Sequence, residues 1–536
     1  MFRNYLKAAW RNLLSNKFFS IINISGLSIG LACCMLIVLY TKDELSFDRF
    51  QAKKDQLYRL TCRVVNPAKG SDVTYGEAGA IQAPTFKDAI PEIQGYVRTE
   101  ELPAVVKNNS EAFDERATWV DGDFFNIFTF PLIYGNPQSV LADPHSVVLT
   151  EEMAKKYFGR PDAIGKTLQI KVQQQFEPFT VTGIAKSAPE NSSVKFNILL
   201  PFSYLAALTN NDHGYWHLLN YSTFFVLAPD ANIQQVERKM NQVYKIRAGL
   251  QIAEIAKQGV AEKFAWGLQP FLKMHLDTKV INEGSIKDES KPVYSYILLA
   301  IASLILFIAC INFINLTIAQ SLKRGREIGL RKVIGGTRKQ LAYQFLGESF
   351  VLCCTAFALA LLIVCAVLPL FNELANKQLS LRYLFDPTLI VVFVSLLLIT
   401  GFIAGVYPAF VLSGFKPVET LRNRSGAIGK NYVSKALITV QFALATFLII
   451  GTMVIYFQCN YLTKAQLGYN DKNLLSVTAG GEEKDSGVLD LLKLKFSGIA
   501  GVQQVAKKMN GEWTTSAKAN NKDLDISYDA IDPDYL

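Results

Sequence analysis

The chain has 536 residues, half of them hydrophobic and 19% charged, with a formal net charge of +9 and a positive mean hydropathy. That balance excludes both a disordered chain and an ordinary soluble enzyme. The positive charge is no nucleic-acid signature either: Lys and Arg cluster beside apolar runs, and no basic helix sits in a soluble domain of its own, so no nucleic-acid partner is expected.

Residues 1–19 repeat Phe2, Tyr5, Leu6, Ala9, Trp10, Leu13 and Leu14 at helical spacing, with Arg3, Lys7 and Arg11 on other faces. The pattern predicts a cytoplasmic amphipathic helix lying in the membrane surface and touching its lipids. It precedes the apolar run and has no evident small-residue cleavage site, so it does not read as a signal peptide. Five runs, roughly 20–41, 293–319, 346–371, 388–412 and 435–457, are long enough to span a bilayer.

Loop charges set the expected orientation, because cytoplasmic loops are enriched in Lys and Arg. The first 20 residues carry four basic and no acidic side chains, the 320–345 loop seven basic and one acidic, and the 413–435 segment five basic and one acidic. The 372–387 loop is balanced at two and two. The counts agree on an amino terminus inside, 42–292 outside, 320–345 inside, 372–387 outside, a cytoplasmic linker at 413–434, and 458 onward outside.

The 42–292 segment mixes alternating stretches, such as Phe179-Thr180-Val181-Thr182-Gly183-Ile184, with helical ones such as Glu151–Phe158. The expected fold class is therefore a multi-pass α-helical membrane protein with a large α+β extracytoplasmic domain between its first and second spans. An internal repeat accompanies it. Ile90-Pro91-Glu92-Ile93-Gln94 is followed 30 residues later by Val120-Asp121-Gly122-Asp123, and Ile499-Ala500-Gly501-Val502-Gln503 is followed 32 residues later by Ile531-Asp532-Pro533-Asp534. The repeat predicts that 458–536 opens a second extracytoplasmic domain that is incomplete here, with three further spans beyond it.

Several motifs fall short of chemistry. Gly159-Arg160-Pro161-Asp162-Ala163-Ile164-Gly165-Lys166-Thr167 has five residues between its glycines where a phosphate-binding loop has four, and it follows a helical pattern rather than a strand, so it reads as a turn. His213 and His217 have the spacing of a helical metal pair without the intervening catalytic Glu, and His145 and His275 are isolated. No catalytic, cofactor-binding or metal residues are expected. Six of the eight cysteines (Cys33, Cys34, Cys310, Cys353, Cys354 and Cys365) lie inside apolar runs as small hydrophobes, and nothing pairs Cys62 with Cys459.

Within the spans, Gly26 and Gly30, and likewise Gly401 and Gly405, put small residues on one helix face, which suits either dimerisation or packing within one protomer. Asn312 and Asn315 share a face and suit hydrogen bonds to a neighbouring helix. Glu348, an ionisable group in the third span, needs a partner, which the basic loop offers. Pro408 is expected to kink the fourth span.

The basic loop carries a resemblance. Arg326-Glu327-Ile328-Gly329-Leu330-Arg331-Lys332-Val333-Ile334-Gly335-Gly336-Thr337 resembles the signature of FtsX-like permeases, the membrane subunits of MacB/LolC/FtsX-type ABC transporters. Gly405-Val406-Tyr407-Pro408-Ala409-Phe410, with Ser413, Phe415, Pro417 and Leu421, resembles the close of that permease domain, here 293–412. The 42–292 region resembles the MacB-like periplasmic core, with recurring stretches at Gly183-Ile184 through Pro189-Glu190-Asn191-Ser192 and at Leu268-Gln269-Pro270 through His275-Leu276. The chain is similar in particular to the long, duplicated permeases built of two four-span halves.

The resemblance implies a permease subunit of the bacterial inner membrane with no enzyme activity of its own. ATP and Mg would be bound by a separate cytoplasmic ATPase dimer. A coupling helix over 321–340 would ride on that dimer through Arg326, Glu327, Ile328, Gly329, Arg331, Lys332, Gly335 and Gly336. Its movement would shift the spans and the external domain, which would export or hand on a substrate together with a periplasmic or outer-membrane partner. The same architecture also serves as an activator of a cell-wall hydrolase that moves no cargo. Anionic lipid is the competing partner for the basic residues.

Overall fold

Long apolar helices and one large mixed sheet divide the chain into two units: Met1–Ser46 with Lys291–Asp471, and Phe47–Ser290 with Lys472–Leu536. The computed structural model describes residues 17–67, 70–108, 111–172, 175–208, 214–257, 262–282, 289–323, 330, 332–335, 337–380, 386–413, 432–465, 474–477, 486–508, 513–519, 522–528 and 530–535. The surface helix expected at 1–19 therefore lies almost wholly outside the described residues.

In chain order, α1 (Lys17–Ser46) is followed by β1 (Leu57–Asn66), β2 (Ser71–Tyr75), β3 (Glu77–Ala78), α2 (Gln82–Ala89), the hairpin β4 (Ile93–Asn108) and β5 (Glu111–Val120), and the single turn α3 (Phe124–Ile127). Next come β6 (Leu132–Tyr134), β7 (Ser146–Thr150), α4 (Glu151–Phe158), β8 (Thr167–Val172), β9 (Gln175–Ala185), β10 (Ile198–Pro201), α5 (Phe202–Leu208), β11 (Tyr221–Leu227), α6 (Ile233–Arg247), α7 (Gly249–Lys257), β12 (Lys263–Pro270), a 3-10 helix (Phe271–Leu276) and β13 (Val280–Ile281). The helices α8 (Pro292–Lys323), α9 (Arg338–Ala375), α10 (Pro387–Ser413) and α11 (Tyr432–Lys464) follow, and then α12 (Ser486–Ser497), β14 (Trp513–Ala519) and β15 (Lys522–Tyr528).

The sheet runs β13-β2-β1-β11-β4-β5-β10-β7-β9-β6, with β3, β8 and β12 pairing off that path. It mixes antiparallel pairs such as β4 with β5 and parallel pairs such as β7 with β9, the α+β arrangement expected. Strand β11, Tyr-Ser-Thr-Phe-Phe-Val-Leu, is buried at every position, as a strand paired on both edges and covered on both faces must be. One core is aromatic: Phe124 stacks on Phe130 with ring centroids 5.7 Å apart and meets Phe196 edge-on at 5.5 Å. A second, under α2 and α6, gathers Leu60, Cys62, Phe86, Trp216 and Trp266.

Helix α4 shows how local signals fix an element. The Thr150 hydroxyl accepts from the Met153 N–H, Glu151 and Glu152 occupy the first turn, Lys155 and Lys156 the last, and Gly159 closes it at φ +70°. The glycine-flanked segment after it is thus a helix exit leading into β8, where a phosphate loop would need a strand before it.

The 486–535 segment repeats the backbone bonding of 82–124. Ile93 N–H donates to Ile90 O at 3.0 Å, and Val502 N–H to Ile499 O at 3.1 Å. The Asp121 carboxylate accepts from Arg98 N–H at 2.8 Å, and the Asp532 carboxylate from Lys507 N–H at 3.0 Å. In return Asp121 N–H donates to Arg98 O and Asp532 N–H to Lys507 O, at 3.4 and 3.1 Å. Phe124 N–H reaches Asp121 O and Tyr535 N–H reaches Asp532 O, both at 3.1 Å. Thr99 pairs with Val120 in one hairpin, and Lys508 with Ile531 at the same place in the other.

Among the described residues of the first unit, five helices are long and apolar enough to cross a membrane. They outrun the apolar runs because polar helix formers extend them: α9 begins at Arg338 rather than near 346, adding Arg338, Lys339, Gln340 and Gln344. The single helix expected over 321–340 is corrected. Gly335 turns at φ +99°, Thr337 caps the next helix, and 338–340 belong to α9. Helix α10 continues through Pro408 to Ser413, and α9 carries an internal Pro369 that sequence patterning passed over.

Candidate functional site

The basic elbow between α8 and α9 is the first candidate. Of its expected residues, Arg326, Glu327, Ile328, Gly329, Arg331 and Gly336 lie outside the described residues, whereas Lys332 and Gly335 lie within them. Ile334 N–H donates to Leu330 O at 3.1 Å, a helical turn. Gly335 then takes the left-handed φ, and an added Cβ there would meet nothing within 4 Å. Backbone conformation, and not crowding, therefore asks for glycine.

Thr337 and Gln340 form a capping box: Gln340 N–H donates to Thr337 Oγ1 at 3.3 Å, and Thr337 N–H to Gln340 Oε1 at 3.1 Å. The turn before it presents Leu330, Val333 and Ile334, which are 55, 63 and 78% exposed. At i, i+3 and i+4 they share one face. Burial, and then the repulsion of Arg338, lowers the Lys332 pKa.

The small-residue faces pack inside the protomer. A Cβ on Gly30 would sit 3.0 Å from Ala309, and one on Gly26 3.6 Å from Asn312 Nδ2, so both glycines admit α8 against α1. Gly401 and Gly405 receive Phe350, and Leu346 with Ser349, from α9 at 3.1–3.2 Å. Asn315 Oδ1 accepts from Ser434 Oγ on α11 at 3.3 Å. Glu348 accepts from Gln344 one helical turn earlier at 3.0 Å.

At the other ends of these helices, Lys377 bonds Glu44 at 2.7 Å and Asp43 at 3.1 Å, and Lys42 pairs with Asp386 at 2.5 Å. Burial opposes the Lys377 charge, but the Glu44 hydrogen bond and the two carboxylates outweigh it and raise its pKa. The Lys42 hydrogen bond holds the Asp386 carboxyl below its ordinary range. This clamp joins the ends of α1, α9 and α10. Sequence reading missed it, although Lys42-Asp43-Glu44 at the edge of an apolar run was a visible signal.

The isolated histidines have structural settings. His145 Nε2 lies 3.2 Å from Glu177, His275 stacks on Phe47, and the His217 ring lies 5.3 Å from that of Tyr215; His213 is outside the described residues. Among the described residues no group of three or more His, Cys, Asp or Glu is placed to hold a metal. All eight cysteines are free thiols.

Comparison with known proteins gives the chain its relatives. A model of the MacB-like periplasmic core domain matches residues 20–243, and one of the FtsX-like permease C-terminal domain matches 299–417. The chain is 22% identical over 439 residues to the ABC transporter permease YvrN of Bacillus subtilis, covering 78% of this chain and 99% of that one. It is 22% identical over 435 residues to the macrolide export ATP-binding/permease protein MacB of Escherichia coli K12, again over 78% of this chain but only 60% of that relative's length. Among solved structures, a domain of a permease from Porphyromonas gingivalis aligns at 19% identity and a TM-score of 0.36, over 41% of this chain and 92% of that one. The extracellular domain of the transporter YknZ aligns at 13% and 0.27, over 39% and 99%. With a MacB-like core followed by an FtsX-like permease domain, the chain belongs to the ABC transporter permeases of the MacB/FtsX type.

Proposed function

We propose that this permease couples ATP hydrolysis by a separate cytoplasmic ATPase dimer, which binds the ATP and Mg, to movement of its external domain, and that the movement exports or hands on a substrate. In this reading the amino terminus and the elbow face the cytoplasm of a bacterial inner membrane. The observation that carries it is the exposed face of Leu330, Val333 and Ile334 beside Lys332. Apolar side chains left open on a short, capped, basic turn suit insertion into a cleft of a soluble partner, with Arg326, Glu327, Ile328, Gly329, Arg331, Gly335 and Gly336 completing the contact. Lipid headgroups would account for the basic residues but leave Glu327 without a role. The repeated hydrogen bonds of 486–535 support reading 458–536 as the opening of a second external domain.

The test is co-purification with the ATPase. The double substitution Glu327→Lys with Arg331→Glu should abolish association while membrane insertion persists, and normal association would defeat the coupling role. Labelling Thr337→Cys with an impermeant thiol reagent in intact cells should fail. Labelling there would invert the topology and with it the reading.

A further inference from the structure

The polypeptide leaves the spans after Ser46 and returns to them before Pro292. Both crossings meet the same residue of the external domain. Phe47, the first residue beyond α1, lies flat on the His275 imidazole, with ring centroids 3.4 Å apart and planes 3° from parallel. Phe47 is 4% exposed and His275 2%. At the other crossing, Ser290 N–H donates to the His275 carbonyl at 2.9 Å. His275 itself sits in the 3-10 helix whose Phe271 and Met274 are buried in the aromatic core, so it is anchored to that close-packed core.

The incoming chain is stitched down beyond Phe47 as well. Asp48 takes φ +60°, a left-handed conformation that costs a non-glycine residue about 1 kcal/mol or more. It is held there by bonds from both ends: its N–H donates to Asn191 O at 2.9 Å, and its carboxylate accepts from Ser193 N–H at 2.9 Å. Gln51, buried, accepts from Thr129 N–H at 2.6 Å. The loop around Pro189–Ser192 and the stretch ending at His275-Leu276 thus converge on one two-residue segment, Phe47-Asp48.

We propose that His275 is a positioning residue that fastens the two ends of the external domain, Phe47 through its ring and Ser290 through its carbonyl, to the domain core as one joint. A flexible tether at either crossing would dissipate span movement in the linker; a joint with buried, bonded ends transmits it. The proposal rests on the coupling reading for its consequence, but the joint itself is a property of this chain.

Two measurements separate them. In the purified full-length chain, His275→Ala should speed amide exchange of the peptide covering 47–52, which loses its ring contact, by roughly tenfold or more, while 289–291, held by the residue-275 carbonyl that the substitution keeps, and β4 and β5 stay protected. His275→Phe, which keeps a flat ring, should exchange like the native chain. Unchanged exchange at 47–52 in His275→Ala would overturn the joint, and so would loss of protection across the whole domain in His275→Phe. In the complex with its ATPase, labels at Gln138→Cys and Leu374→Cys, with exposed Cys365 and Cys459 replaced by serine, report domain movement on nucleotide binding. His275→Ala should lose at least half the distance change. A Phe47→Cys/His275→Cys pair joined by a short bifunctional thiol reagent should keep it. Arrest of movement in the joined pair would mean that the contact opens during the cycle and would overturn the proposal. Absence of movement in the unmodified complex would defeat the coupling reading alone, leaving the exchange measurement to decide the joint.

Discussion

The two copies of the helix–hairpin motif, 82–124 and 486–535, share their backbone bonds but not their side-chain support. In the first, Arg98 forks both oxygens of Asp121 at 2.9 and 2.7 Å, donates to Ala80 O at 2.8 Å and lies 3.9 Å over the Phe202 ring. In the second, Lys507 gives Asp532 only its backbone N–H and sends its ammonium to Asp490, while Lys493 supplies the charge to Asp532 at 2.7 Å. The difference shows that the turn is written by an aspartate bonding main chain across the hairpin mouth. The cation beside it is interchangeable in position and sets how strongly the turn is fixed to its surroundings.

Removing the aspartate breaks the comparison most severely. Asp121→Ala leaves the Arg98 guanidinium, only 13% exposed, with one carbonyl and an aromatic face, and frees the Arg98 N–H. Loss of one partner from a largely buried pair costs about 3 kcal/mol, which thermal unfolding of the full chain, followed by tryptophan fluorescence, should register as a lower midpoint. Asp532→Ala should instead show only faster amide exchange around Lys507 and Tyr535. Equal loss of midpoint in both would mean that the two turns carry the same load.

A smaller effect concerns pH. Glu100 sits on β4 opposite Trp119, and burial pushes its carboxyl up to about 7. A raised carboxyl stabilises the fold below its unfolded value near 4.5, and that contribution is lost as pH rises through about 7. Glu100→Gln should therefore be neutral near pH 4 and stabilising at pH 8. A shift of this size corresponds to about 3 kcal/mol, of which about 2 should survive partial solvation. The matching position of the second copy is Met509, so this response should belong to the first copy alone. A midpoint difference that is flat from pH 4 to 8 would show that Glu100 stays solvated.

These contrasts also mark what was readable from sequence. Local signals carried well: Thr150, the paired Glu and Lys, and Gly159 delimit α4 at the residues where the helix stands. The repeat was visible because Ile-x-x-Ile/Val and Asp-x-Asp recur in step, and the basic elbow because charge next to apolar runs needs no tertiary knowledge. The start of α9 was misplaced, since hydropathy ignores Arg338-Lys339-Gln340, although Thr337-x-x-Gln340 advertised a cap. Which helix the Gly26/Gly30 face receives was not legible: small residues state that something approaches closely, not whether it is α8 or a second molecule. Lys377 with Glu44, and His275 under Phe47, join distant stretches through the fold, and no spacing rule connects them.

The finest contrast is between the two cations. Arg98→Lys would give the first copy the residue type of the second. The backbone bonds use the N–H and C=O of residue 98 and should survive unchanged. The fork on Asp121, the bond to Ala80 O and the stacking on Phe202 all depend on a planar guanidinium, and a single ammonium reproduces one of them at most. The expected cost is about 1 kcal/mol, well below that of Asp121→Ala. Amide exchange at residues 98 and 121 should stay slow while exchange near Ala80 and Phe202 quickens. If Arg98→Lys instead destabilised as much as Asp121→Ala, the guanidinium and not the aspartate–backbone pair would carry the load of the first turn, and the shared backbone bonds would not be what sets its stability.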